Sequence, residues 1–264
     1  MTTIGVFDSG VGGLTVLREL RRQLPGARYL YLGDTARLPY GSKSRATIAR
    51  YAVESARFLI EQGADYLVIA CNTASALALD EIRSAAAVPV LGVIETGAAA
   101  ARACSRSGDV LVLATTATVA SRAYAKACRA LGLQALEKAC PLLVPMVEEG
   151  WTTHPVTREV LRIYLAEANA DARAAGLAPD ALVLGCTHYP LLRTEIEALS
   201  GLPVIDSAEV TAAVVVQALA ASGSGDRTQE MRFYATDGME RFRELGSRFL
   251  DEPVEKVELV DLGG

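Results

Sequence analysis

The stretch Asp65-Tyr66-Leu67-Val68-Ile69-Ala70-Cys71 returns 115 positions later as Asp180-Ala181-Leu182-Val183-Leu184-Gly185-Cys186. In both copies an apolar run without polar alternation follows an aspartate and ends on a cysteine. Such a run reads as a strand covered on both faces. Pro89-Val90-Leu91-Gly92 matches Pro203-Val204-Ile205-Asp206 at an offset of 114, and Val6-Phe7-Asp8-Ser9-Gly10 stands opposite Leu113-Ala114-Thr115-Thr116-Ala117 at 107. Any two α/β strands look alike, so one match would mean little. Near-equal offsets in one order, with the Asp, the Leu-Val pair and the Cys shared, favour a duplicated unit.

Outward from these runs, strand-type segments recur at Ile4–Phe7, Tyr29–Leu32, Val88–Val93 and Val110–Ala114, and the repeated segments supply Tyr66–Ala70, Ala181–Leu184 and Leu202–Ile205. Amphipathic stretches separate them. Leu14, Leu17, Leu20 and Leu24 form one stripe, and Ile48, Tyr51, Ala52, Ser55, Phe58 and Leu59 another. The alternation predicts an α/β fold of two pseudo-symmetric, doubly wound lobes with mainly parallel sheets and right-handed crossovers. Function is then expected at the carboxyl ends of strands, in a cleft between the lobes. Ser222-Gly223-Ser224-Gly225 reads as a flexible loop. After it, Met231–Ala235 and Val254–Leu259 read as strands and Met239–Leu250 as a helix.

With 51% hydrophobic and 22% charged residues in 264, the chain is no disordered segment. A net charge of −5 argues against a general nucleic-acid binder, which needs basic surface for phosphates. The longest uncharged stretch, Val210 to Gly225, falls short of the roughly 18 to 20 apolar residues that cross a bilayer. The start, Met1-Thr2-Thr3-Ile4-Gly5, lacks a basic leader region. Five cysteines, an odd number without clustered spacing, point to a reducing cytosol rather than a disulfide scaffold. Two histidines are too few for a His-rich metal site, and no metal is expected.

The two strand-end cysteines, Cys71 and Cys186, carry the chemistry. A thiol between a strand and a helix sits near backbone N–H groups and the positive end of the helix dipole, which favour the thiolate. Asn72, Thr73 and Ser75 follow the first cysteine, and Thr187 and His188 the second. These side chains can cap the next helix or hold the carboxylate and ammonium of a small ligand. A nucleophile needs one thiol and a base, and a redox pair sits closer in sequence. Racemisation or epimerisation, which moves protons on opposite faces of one carbon, needs an acid/base on each side. Cys104, Cys128 and Cys140 lack this setting and read as packing or surface residues.

Phe7-Asp8-Ser9-Gly10-Val11-Gly12-Gly13-Leu14 is no Walker loop and lacks dinucleotide-fingerprint spacing. It reads as a tight turn capped by Asp8 or Ser9, or as an acid set to assist a thiol or bind an ammonium group. Gly33-Asp34-Thr35-Ala36-Arg37-Leu38-Pro39-Tyr40-Gly41 reads as a ligand loop. By pattern alone Glu148 and Glu149 are a solvated acidic turn, and His154 before Pro155 is a helix cap. His188, two residues from Cys186, is either a satisfied core imidazole or a group that tunes the thiol, and the second reading is favoured.

Four motifs together resemble the aspartate/glutamate racemase family, and within it the glutamate racemases of bacteria. They are Gly5–Leu14, Gly33–Gly41, Ile69-Ala70-Cys71-Asn72-Thr73-Ala74-Ser75 and Gly185-Cys186-Thr187-His188-Tyr189-Pro190-Leu191-Leu192. The likeness spans the whole chain, including Phe233–Phe242. It implies cofactor-independent interconversion of L- and D-glutamate, the latter a building block of peptidoglycan. By that likeness Cys71 and Cys186 take the α-proton from opposite enantiomers, Asp8 and His188 assist them, and Glu148 serves the second side. Ser9, Tyr40, Gly41, Asn72, Thr73 and Thr187 match substrate contacts, and Thr115 and Thr118 match threonines that hold the substrate carboxylate. The resemblance further implies a first lobe of residues 1–96 plus 208–264, a second of 97–207, a cytoplasmic enzyme and a homodimer. The rivals are an aspartate racemase of the same fold and a cysteine-nucleophile hydrolase or lyase. Thr96, in Ile94-Glu95-Thr96-Gly97, departs from the proline that many relatives carry.

Overall fold

The computed structural model describes residues 2–219 and 230–263. Ser222-Gly223-Ser224-Gly225 lies outside them. The chain begins with β1 (Thr3–Asp8), α1 (Leu14–Gln23), β2 (Arg28–Gly33), α2 (Arg45–Glu61), β3 (Tyr66–Ile69), α3 (Asn72–Ala85) and β4 (Val90–Gly92). Helix α4 (Val93–Cys104) leads to β5 (Asp109–Ala114), α5 (Thr116–Ser121), α6 (Ala123–Ala130), β6 (Gln134–Ala139) and α7 (Leu143–Glu148). Then come α8 (Pro155–Ala174), β7 (Ala181–Gly185), α9 (Arg193–Ser200) and β8 (Val204–Asp206). Helix α10 (Ser207–Leu219), β9 (Met231–Ala235), α11 (Met239–Leu250) and β10 (Val257–Leu259) complete it.

Among the described residues the strands form two wholly parallel sheets, β10-β9-β2-β1-β3-β4 and β6-β5-β7-β8. The expected α/β class with parallel sheets is what the chain adopts. Every residue of β1 is buried because helices cover both faces. Ile4 and Val6 join the core with Leu14 and Leu17 of α1, whereas Phe7 packs with Ile48 and Leu59 of α2. Val110 and Val112 of β5 share a core with Ala98 and Tyr124, and Leu111 and Leu113 share one with Leu161 of α8. The tail adds two strands to the first sheet, β9 beside β2 and β10 beside β9.

Three strands differ most from the sequence reading, among them β10, which spans only Val257–Leu259 of the expected Val254–Leu259. β6 goes unread because it is a polar edge strand, only partly buried, with Gln134, Glu137 and Lys138 in its six residues. Lys138 instead reaches Glu167 and Asp171 on α8, at 2.8 and 3.3 Å. β4 is shorter than Val88–Val93 because Gly92 ends it as the N-cap of α4. No helix among the described residues is long and apolar enough to cross a membrane.

Helices α4 and α10 connect the two sheets at consecutive crossings. Thr96 of α4 donates to Val93 O at 3.0 Å, and its Oγ1 lies 2.7 Å from that of Thr211 on α10. Both threonines are buried.

Candidate active site

Each sheet reverses its strand order between two neighbouring strands, β1 and β3 in the first, β5 and β7 in the second. At such a switch point the flanking loops part and leave a crevice at the carboxyl ends of the strands. β1 ends on Asp8 and β3 runs into Cys71; β5 runs into Thr115 and β7 into Cys186. The four strand ends meet around one cavity of about 340 Å³. Ser9, Tyr40, Gly41, Cys71, Asn72, Thr73, Thr115, Glu148, Cys186, Thr187 and His188 line it. Asp8 and Thr118, also expected here, stand behind that wall. Asp8 is buried beneath the first loop, and Thr118 is buried one hydrogen bond behind Thr115 and Thr73.

Cys71 is the N-cap of α3. The Ala74 N–H donates to its Sγ at 3.4 Å, and the thiol donates to Ser9 Oγ at 3.5 Å. The helix end was expected to favour the thiolate. Burial and the charge of Asp8 outweigh it, pushing the thiol up to about 12 against the Ser9 and Ala74 groups that would donate to a thiolate. Burial also raises the Asp8 carboxyl, opposed by the positive His188 and by backbone N–H groups. Its Oδ2 accepts from Gly10 N at 3.0 Å, while Oδ1 has no partner among the described residues.

Cys186 departs from the expected symmetry. No α-helix begins at it: Thr187 and His188 form a turn, Tyr189–Leu192 a 3₁₀ turn, and α9 starts only at Arg193. Pro190 has no N–H for a helical ladder and disfavours helix at Tyr189. The second thiol has side-chain partners instead. His188 is buried, its Nε2 is 3.1 Å from Glu148 Oε1, and Glu148 Oε2 accepts from Arg241 at 3.3 Å. Burial alone would push the imidazole down; hydrogen bonds to Cys186 and Glu148 hold it up at about 10. Glu148 is in turn lowered, chiefly by its hydrogen bond with His188. The solvated-turn reading therefore fails for Glu148 and holds for exposed Glu149.

The glycine-rich loop owes its composition to space. Gly12 and Gly13 have ordinary φ angles. A Cβ on Gly12 would overlap Thr187 Oγ1 and sit 2.5 Å from His188 Nδ1. One on Gly13 would meet the Asp8 Cβ at 2.6 Å. Close passage of this loop beneath the Cys186 turn is sealed by Thr15, whose hydroxyl donates to Thr187 O at 3.1 Å. The 33–41 loop folds into 3₁₀ turns at Thr35–Arg37 and Tyr40–Ser42. Buried Asp34 anchors it, accepting from Tyr40 Oη at 2.6 Å and from Thr236 Oγ1 at 3.0 Å. The Tyr40 hydroxyl is thus committed to Asp34.

Three hydroxyls bridge the two halves. Thr73 Oγ1 lies 3.2 Å from Thr115 Oγ1 and 3.3 Å from Thr118 Oγ1, and the last two are 3.0 Å apart. Beside them Asn72 Oδ1 accepts from Tyr124 Oη at 2.7 Å, leaving Nδ2 without a partner among the described residues. Pro141, Val144 and Pro145 give the cavity an apolar side. Cys140, read as packing, is fully buried but also belongs to that wall. Cys128 is buried packing and Cys104 is exposed, as read. His154 caps α8, its Nδ1 accepting from Val156 N at 3.1 Å.

Arg241, Tyr124 and the apolar wall escaped the sequence reading. Arg241 is one of several charges on an amphipathic helix, and Tyr124 is one large residue among alanines, so local pattern marks neither.

Residues 4–215 match the family described as Asp/Glu/Hydantoin racemase. The chain is 51% identical over 287 aligned positions to the glutamate racemase of Koribacter versatilis (strain Ellin345), covering 99% of this chain and 98% of that one. Glutamate racemase from Francisella tularensis subsp. tularensis SCHU S4, solved with D-glutamate, superposes with a TM-score of 0.89 at 36% identity, covering 99% and 98% of the two chains. The Thermus thermophilus enzyme, solved with beta-chloro-D-alanine, gives 0.86 at 46% identity over 99% and 97%. With two thiols brought from two sheets to one cavity and relatives aligned over nearly their full lengths, the chain belongs to the Asp/Glu/Hydantoin racemase family.

Proposed function

We propose that the chain is a glutamate racemase, interconverting L- and D-glutamate without a cofactor by a two-base mechanism. The observation that carries this reading is that Cys71 and Cys186 line one cavity from the switch points of two separate sheets. A carbon held between them has an acid/base on each face. The relatives' names, and the D-glutamate in the Francisella enzyme, supply the substrate.

In one direction the Cys71 thiolate takes the α-proton, and the C–H electron pair stays on the substrate carbon. The Cys186 thiol then donates its proton to the opposite face, and its S–H pair remains on sulfur. The enzyme is left with a Cys71 thiol and a Cys186 thiolate, ready for the reverse reaction. The resting cavity disfavours the Cys71 thiolate through burial and through Asp8. A substrate ammonium beside Asp8 and Ser9 offsets the second cause. Thr115 and Thr73 hold the substrate carboxylate, with Thr118 fixing both hydroxyls from behind, while Asn72, Gly41 and Thr187 add donors around it. An α-proton is far less acidic than a thiol with an ordinary pKa of about 8.5. Preorganised donors and exclusion of water therefore supply the carbanion's stabilisation. Asp8 assists Cys71, and His188 with Glu148 assists Cys186.

This reading carries a first lobe of residues 1–96 plus 208–264, a second of 97–207, a cytoplasmic homodimer and a role in supplying D-glutamate for peptidoglycan. Incubation of each glutamate enantiomer in deuterated water, followed by chiral separation and mass spectrometry, tests it. Deuterium at the α-carbon of the product enantiomer is expected. Turnover of aspartate in preference to glutamate, or product without α-deuterium, would overturn it.

A further inference from the structure

We infer that Tyr124 is a positioning residue for the reaction, acting through the amide of Asn72. Tyr124 is wholly buried in the core of the second sheet, yet its hydroxyl crosses to the first-sheet side and donates to Asn72 Oδ1 at 2.7 Å. Asn72 directly follows Cys71 and opens α3. It is 2% exposed, lines the cavity, and its Nδ2 has no partner among the described residues. A buried amide nitrogen without an acceptor is costly, so its place at a cavity wall marks a ligand contact.

An asparagine amide can sit in two orientations related by a half-turn, one presenting N–H₂ and the other C=O. The tyrosine hydroxyl selects between them. A phenol can donate or accept, but among the described residues Asn72 Oδ1 is the acceptor given to the Tyr124 hydrogen, so the orientation that pairs it keeps Nδ2 off the tyrosine and available to a ligand. Without that bond the amide is free to present its oxygen, which repels a carboxylate.

The ring is held as firmly as the hydroxyl. A Cβ on Gly97 of α4 would stand 3.3 Å from the Tyr124 ring, and one on Gly185 would stand 3.1 Å from it. Gly185 immediately precedes Cys186, so one side chain touches the residue before the second thiol and bonds the residue after the first. Tyr124 thereby ties the two thiol loops together. Its hydroxyl is held well above the ordinary phenol range, chiefly by burial, and stays a donor across the working pH range.

The inference rests on the cavity being the substrate site. Its test is a double-mutant cycle on the full chain with Tyr124→Phe, Asn72→Ala and the pair, assayed with both glutamate enantiomers. Tyr124→Phe keeps the ring packing and removes only the oxygen. It is expected to lower kcat/KM about tenfold, mostly through KM, the size expected for one lost hydrogen bond of ~1.4 kcal/mol. Asn72→Ala is expected to lose more, and the pair no more than Asn72→Ala alone. Additive losses, or a Tyr124→Phe enzyme within about twofold of the parent while Asn72→Ala is impaired, would overturn the role of Tyr124. An Asn72→Ala enzyme with parental kcat/KM would instead overturn the reading of the cavity. Should Tyr124→Phe fail to fold, Asn72→Asp gives the second arm. It keeps an acceptor for the tyrosine but offers the cavity no donor, so KM is expected to rise about tenfold or more, and an unchanged KM would refute the amide's orientation.

Discussion

His188 Nε2 and Glu148 Oε1 stand 3.1 Å apart at the cavity wall that carries Cys186, in a pair that Arg241 extends to the C-terminal helix. The pair takes the place of the helix N-terminus that the first thiol has and the second lacks. Glu148→Gln keeps the shape and removes the charge. It is expected to slow racemisation about tenfold to a hundredfold, within the range for assisted proton transfer. Arg241 is largely exposed, so Arg241→Ala is expected to cost no more than about threefold, as solvent-screened pairs do. Both rates are read by chiral chromatography, and parental turnover in Glu148→Gln would remove the pair from the chemistry.

The two thiols are expected to fail separately. Cys71→Ser and Cys186→Ser should each lose racemisation by about a hundredfold or more, since a serine hydroxyl is a far weaker base at neutral pH. α-Deuterium exchange should survive better, in each variant, for the enantiomer whose proton the remaining cysteine takes. Exchange lost equally for both enantiomers in both variants would contradict the assignment of one thiol to each face.

The thiols were legible because each ends an apolar strand, where fold and chemistry coincide at a few consecutive residues. Glu148 was not. Its partners His188 and Arg241 are 40 and 93 positions away, and only the packing of α7 and α11 against the β7 turn brings them together. The same distance hid Tyr124, 52 positions from Asn72. The glycines of the first loop were visible, but their reason was not: a tight turn and a close approach to Thr187 and His188 look alike in sequence. β6 was missed because an edge strand carries polar side chains where a buried one carries valine or leucine. The parallel two-sheet class survived these omissions because the central strands alone determine it.

Gly12 offers a test of that close approach. Gly12→Ala drives a methyl into the space of Thr187 Oγ1 and His188 Nδ1, both in a turn sealed by Thr15. Overpacking of this kind costs roughly 1–3 kcal/mol, and here the strain falls on the group beside Cys186. Thermal melting should show that loss together with a large fall in turnover. Gly41→Ala is the control, since its new Cβ would meet only Ala117 at 3.9 Å, and it should melt like the parent.

The raised His188 imidazole makes a prediction about pH. Its folded value, about 10, lies above the ordinary 6.5. A group raised on folding stabilises fully below its unfolded value, and the contribution is lost as the pH climbs through the folded one. The parent should therefore lose melting temperature between about pH 6.5 and 10, and His188→Asn should lose less over the same window. Parallel melting curves for the two proteins would show that the ring is not charged in the fold.

Asp8 should behave in the opposite way in stability and in function. Its carboxyl is raised by burial, so the fold bears an increasing cost as the pH rises through its folded value and the group ionises. Asp8→Asn removes that cost and is expected to melt higher than the parent at neutral pH. It also removes the second cause that pushes the Cys71 thiol up. The midpoint of Cys71 alkylation by iodoacetamide should then move to lower pH. Turnover should nevertheless fall, because on the proposed reading the carboxylate charge behind the cavity wall no longer balances the substrate ammonium. A thiol that becomes easier to ionise in an enzyme that becomes slower would show that Asp8 serves substrate charge and not thiol acidity. If the alkylation midpoint instead moves to higher pH, Asp8 acts on the thiol directly and the electrostatic account of Cys71 is wrong.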